Sequence, residues 1–368
     1  MTGAEPVAAG SAKASPPGWR KWTVRIVVGL AVGALLSWSA INLVHADPPL
    51  PLWAGQDLPA IPAAEDNGWN DLYQHPHLFQ ELDVGPVERA VGASLGRAPE
   101  AGPAAPEDLT EARRSLGQPD LLEAFATCEA SLSRPAFVDD CPFDFSQSCP
   151  SVDVLECRRI AAFHVLDAAS RHEWAQAVAR GDILLAQSLA HLSSARSVLS
   201  MQIALQSARE SLVLARQLTH WLRAAGATGL LAGLERRIRA FGVDPLDLNV
   251  ALAGEYIRML SGIERITRGE VDSGGGALPG FFFDPGATTA ELNRIFAPVR
   301  AAREADVIPA VADKPYTAQL GWWVRNPVGK LYLDAVTLPR RHFETLLAER
   351  AALLEERSKL LTELGQGD

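Results

Sequence analysis

Residues 195–222 read ARSVLSMQIALQSARESLVLARQLTHWL. Val198, Met201, Leu205, Ala208, Leu212, Ala215 and Leu222 recur there at spacings of three and four, interrupted only by Thr219. Leu199, Ile203, Leu214, Leu218 and Trp221 form a second apolar row beside the first. A helix with so wide a stripe packs against neighbours on two sides, so the pattern predicts the central member of a helical bundle or solenoid. Outward from it, residues 153–270 are rich in Ala, Leu, Arg and Gln, with expected breaks at Gly181-Asp182, Ala225-Gly226 and Gly242 to Pro245. The fold class expected is all-α, a bundle or a degenerate tetratricopeptide-like array, since no period of 33 to 47 residues repeats.

The second deciding stretch is Ile26 to Val44, nineteen residues without a formal charge. As a helix it reaches ~28 Å, close to the ~30 Å hydrocarbon core of a bilayer. Lys13, Arg20, Lys21 and Arg25 precede it against one acid, Glu5, and no Lys or Arg follows until Arg89. That asymmetry places the N-terminus in the cytoplasm and the rest of the chain outside. Trp19 and Trp22 lie at its inner interface, Trp38 and Trp53 flank its outer half, and Gly29 and Gly33 make a GxxxG pattern that could pair two such helices. Cleavage after Ala46 is the competing reading, but the run exceeds a signal h-region, so it reads as an uncleaved anchor. The expected division is a leader over 1–25, a membrane helix over 26–44, a stiff Pro-rich spacer over 45–63 and a helical domain over 64–368, with a flexible turn near 272–280.

Charge sharpens once the chain is divided. The whole carries 34 basic and 44 acidic residues. Four of the basic and one of the acidic residues precede residue 46, so the remainder stands at −13. A surface of that sign excludes nucleic acid as a partner. The four cysteines, Cys128, Cys141, Cys149 and Cys157, fall within thirty residues and contain no CxxC pair, which favours two disulfides over zinc or a catalytic thiol. Of three pairings the nested one is favoured, Cys128 with Cys157 between two helices and Cys141 with Cys149 across the loop between them.

The C-terminal helix, Pro339 to Leu364, carries Leu346/Leu347, Leu353/Leu354 and Leu360/Leu361 at a repeat of seven, with Phe343 and Leu364 in register. This is a candidate seam, either for the protein's own body or for a second copy or another protein partner. Residues 85–107 read as a surface loop or partial linker, and Glu65-Asp66 as the charged entry to a short helix rather than a catalytic pair. Phe281-Phe282-Phe283 cannot all face one core. No catalytic, cofactor-binding or metal-binding set is legible: the histidines lack i, i+4 mates, His75-Pro76-His77 stands alone, and Asp139/Asp140 could bind Ca²⁺ weakly but assemble no full oxygen cage from sequence. Arg180-Gly181-Asp182 reads as a helix break with Asp182 as N-cap.

Cys141-Pro-Phe-Asp-Phe-Ser146, the long helices after it, Phe282-Phe283-Asp284-Pro285 and Asn326-Pro-Val-Gly-Lys-Leu-Tyr-Leu333 together resemble a loose family of uncharacterised single-pass bacterial membrane proteins with exported all-helical domains. The resemblance covers roughly residues 65–345 and departs at Gly286, where Asn is expected. It implies an inner-membrane protein whose bulk is periplasmic, and it brings no activity. The function expected is a non-enzymatic scaffold or interaction module held in the bilayer by residues 26–44. The alternatives are an envelope hydrolase using Glu65, Asp66 or Asp139, or a ligand-binding helical domain.

Overall fold

A computed structural model describes residues 17–43, 45, 47–75, 77–139, 141, 149–240, 248–270, 282–302, 307–311, 315–319 and 325–365. Among these there is no strand, only one isolated parallel bridge between Asn67 and Ala136. The helices are α1 (Pro17–Leu43), α2 (Gly68–Tyr73), α3 (Gly85–Leu95), α4 (Thr110–Leu116), α5 (Pro119–Ser133), α6 (Ser151–Ser170) and α7 (Trp174–Ser194). They continue as α8 (Val198–Ala224), α9 (Leu231–Ala240), α10 (Asn249–Arg268), α11 (Pro285–Ala301), α12 (Pro327–Val336) and α13 (Arg340–Gly365).

The helix read from residues 195–222 is α8, and it is the hub. Ser197 caps it, its hydroxyl accepting from Ser200 N–H, and α3, α6, α7, α9, α10 and α13 all pack on it. Across its interface with α7 the hydroxyls of Ser188 and Ser211 lie 3.0 Å apart. This corrects one expectation, because α7 runs unbroken through Gly181-Asp182. A Cβ on Gly181 would stand 3.0 Å from Leu218, so the glycine is a contact point between helices and not a break. Asp182 instead forms an ion pair with Arg237 of α9.

Residues 85–95 are also not loop. Pro86 opens α3 and its Val87 and Val91, one turn apart, are buried against α6, a short period that the surrounding Gly, Ala and Pro obscure. Further on, Tyr316–Gln319 form a short 3-10 turn, and α12 begins at Pro327 because Asn326 before it takes a left-handed conformation (φ 56°, ψ 51°). The expected break at residues 242–245 and turn at 272–280 lie outside the described residues, as do Ala46, Asp140 and Phe281.

The cysteines lie in two pairs. Cys128 of α5 meets Cys157 of α6 with Cα atoms 5.3 Å apart, and Cys141 meets Cys149 at 5.9 Å, both within the span a disulfide bridges. At the C-terminal end of α5, Arg134 grips both carboxylate oxygens of Asp71, at 2.8 and 3.0 Å, and the Glu65 carbonyl. The buried Asn67 side chain bonds both the N–H and the carbonyl of Val138.

Candidate functional site at the exit of the apolar helix

The segment Trp22–Leu43 of α1 is long and apolar enough to cross a membrane, and its middle is open to the surroundings, Leu30 and Leu36 being 69% and 64% exposed. With the disulfides, it marks a membrane-anchored or exported protein. The last turn and a half behaves differently. Asn42 is buried and Trp38 half-buried, because the body closes on them.

Two motifs far apart in the chain build that closure. Asp284 caps α11, one oxygen accepting from Ala287 N–H at 2.9 Å and the other from Arg325 at 3.1 Å. Asn326 caps α12 through Gly329 N–H, and the same oxygen accepts from Asp284 N–H at 2.9 Å, locking the two caps together. Its amide nitrogen donates to the Thr288 hydroxyl, which donates to the Asp284 carbonyl. Gly329 sits so close that a Cβ there would fall 2.2 Å from the Thr288 oxygen. Onto this knot the apolar helix is tied: Asn326 N–H donates to the Asn42 side-chain oxygen at 2.8 Å, while the Asn42 amide donates to the Trp38 carbonyl. Beside it the Trp38 and Phe282 rings stack with centroids 4.6 Å apart. The puzzle of the consecutive phenylalanines resolves here for two of them, Phe283 facing the core and Phe282 the apolar helix.

The Pro-rich stretch after the helix is a strap and not a free spacer. Leu52 N–H donates to the Tyr256 hydroxyl, which donates to Asn293, whose amide returns to the Leu50 carbonyl. Trp53, 5% exposed, packs edge-on against Tyr256 and Phe296 and lies under the Arg300 guanidinium.

The carboxylates singled out in the sequence do not share a cleft. Glu65 and Asp66 are exposed on a 3-10 turn, and Asn67, not either acid, caps α2. Asp139 is buried and engaged by Cys141 N–H and the Ser197 hydroxyl; burial raises its pKa, as it does that of Glu255 nearby. His191 bonds Ser200, and burial holds its pKa well below the usual imidazole range. This is not a nucleophile relay, since the imidazole does not stand between hydroxyl and carboxylate and all of these groups are shut off from solvent. His75 bonds the Asp71 carbonyl, and His77 adopts φ 70°; no group of three metal-ligating side chains forms among the described residues.

Sequence reasoning passed over one acidic pair. Arg159 of α6 bridges Glu156 and, from α3, Glu88. Burial, reinforced by the Glu88 charge against the pull of Arg159, raises Glu156 to about 7. The sevenfold seam, for its part, is occupied by the protein itself. Phe343, Leu346, Leu353, Leu360 and Leu364 are buried, with Leu347, Leu354 and Leu361 half-buried against the core. Their helix α13 packs on α8 and α9, and Arg216 bonds Glu363 across the contact at 2.7 Å.

Compared with known proteins, the chain matches no family model, no curated protein and no solved structure.

Proposed function

We propose that this is a single-pass protein of the bacterial inner membrane, N-terminus in the cytoplasm and helical body in the periplasm, serving as a non-enzymatic scaffold or interaction module. The observation that carries the reading is the tie between Asn42 and Asn326, flanked by the Trp38–Phe282 stack. A tether alone needs no such bonds; fixing the orientation of a body on its anchor does. The positive leader before Ile26 and the lack of Lys and Arg from there to Arg89 support the orientation. The resemblance to single-pass envelope proteins points the same way, and the partner is a protein of the same envelope or a second copy of this chain.

The test is topology followed by capture. Single cysteines at Ser11 and Gln56 in whole cells are treated with a membrane-impermeant maleimide, which labels the second and not the first. Covalent capture of the full chain in intact membranes then recovers a partner or a homodimer. Labelling of Ser11→Cys overturns the orientation, and recovery of nothing above background overturns the scaffold.

A further inference from the structure

Between the strap and α10 lies a groove of about 510 Å³, walled by Pro49, Leu50, Leu260, Ile263, Thr267 and Pro285. Its size is that of an ordinary small-ligand site, and its lining is mostly apolar. Its position is set by the junction. Pro285 follows Asp284 directly, and Leu50 lies seven residues beyond Leu43, where α1 ends. Trp38 sits five residues inside that end, ~7 Å along the helix axis. Phe282, stacked on Trp38, therefore lies level with the last turns of α1, and Pro285 on the groove wall follows it by three residues; with α1 in a bilayer as proposed, that is the level of the lipid headgroups.

Two charges rim the groove, Glu264 and Arg268, four residues apart on one face of α10. Arg268 is ion-paired with Glu270 through Nε at 2.9 Å, and its side chain is 58% exposed, within reach of an acceptor arriving from outside. Opposite charges one turn apart match a zwitterion, with a phosphate on the guanidinium and an ammonium on the carboxylate. The body's charge of −13 disfavours a purely anionic headgroup. We infer that the groove holds a zwitterionic phospholipid of the phosphatidylethanolamine type from the surrounding leaflet, one acyl chain along Leu260 and Ile263 and the headgroup between Glu264 and Arg268. The inference rests on α1 lying in the bilayer as proposed above.

Full-length protein is reconstituted into vesicles of equal parts phosphatidylethanolamine and phosphatidylglycerol, with a photoactivatable acyl chain on one lipid or the other. The ethanolamine probe labels peptides covering residues 48–51 or 260–268, and the glycerol probe labels them about tenfold less, the ratio that one charge-assisted contact supplies. Leu260→Trp fills the groove and removes the label. Glu264→Gln with Arg268→Gln, both on the surface, lowers it about tenfold without touching the fold. Label confined to residues 22–43, or equal label from both lipids, overturns the site. Flotation with the vesicles is read in every arm, and protein that does not float overturns the membrane anchor itself.

Discussion

The backbone N–H of Asn326 donates to the side-chain oxygen of Asn42 at 2.8 Å, joining residues 284 positions apart. Asn326 does more for the body than for this bond, since it also caps α12, holds Asp284 N–H and occupies a left-handed position that few residues tolerate. Asn326→Ala is expected to cost about 3 kcal/mol of body stability. Asn42→Ala leaves the α11–α12 knot intact and costs about 1 kcal/mol. Urea unfolding of the full chain in detergent separates them. Equal losses would show that the knot depends on the apolar helix.

Helix α10 crosses the start of α8 at Gly254, where an added Cβ would fall 1.8 Å from the Arg196 carbonyl oxygen. Backbone cannot yield as a side chain can, so Gly254→Ala is expected to cost more than about 3 kcal/mol. Gly233, in α9, has nothing within 4 Å of the same position. Gly233→Ala should stabilise by about 0.5–1 kcal/mol through helix propensity and a less flexible unfolded chain. Opposite shifts in thermal midpoint are the expected result.

Much of this architecture is legible in the residues. The wide stripe of α8 announces a hub because nearly every turn carries apolar side chains on two rows. The long apolar helix is legible because nothing charged interrupts it. Gly181 misleads because a glycine that lets two helices touch and a glycine that ends a helix are spelled alike; only the Leu218 contact distinguishes them. The junction is harder still. Asn42 is a lone polar residue near the end of an apolar run, Asn326-Pro327 is an ordinary turn signal, and their meeting depends on long-range packing that local period does not encode.

The two cysteine pairs enclose chain segments of different length, with sequence separations of 29 and 8. On the chain-entropy relation, opening Cys128–Cys157 by paired Ser substitutions costs about 3.6 kcal/mol and opening Cys141–Cys149 about 2.6 kcal/mol. Urea midpoints of the two double variants, against the oxidised parent, give the order directly.

Glu156 binds its proton more tightly in the folded chain than in the unfolded one, where it titrates near the ordinary carboxyl value of 4.5. Stability therefore falls as pH rises from about 4.5 through about 7, and the contact of α3 with α6 is weakest above that window. Glu156→Gln should flatten this part of the profile and raise stability at pH 8 by about 1–2 kcal/mol. Thermal midpoints from pH 5 to 8 for both proteins test it. A parent that gains stability across the window would show that Arg159 outweighs burial.

The strap under Tyr256 and Phe296 also sets how far the protein can reach. Nineteen residues from 45 to 63, if extended and free, would let the body wander about 60 Å from the end of α1. Pinned at Leu50, Leu52 and Trp53, they allow almost none of that travel. A body so held keeps the end of α1 at one fixed place on its own surface, so whatever fixes the apolar helix also fixes where the body stands and which way it faces.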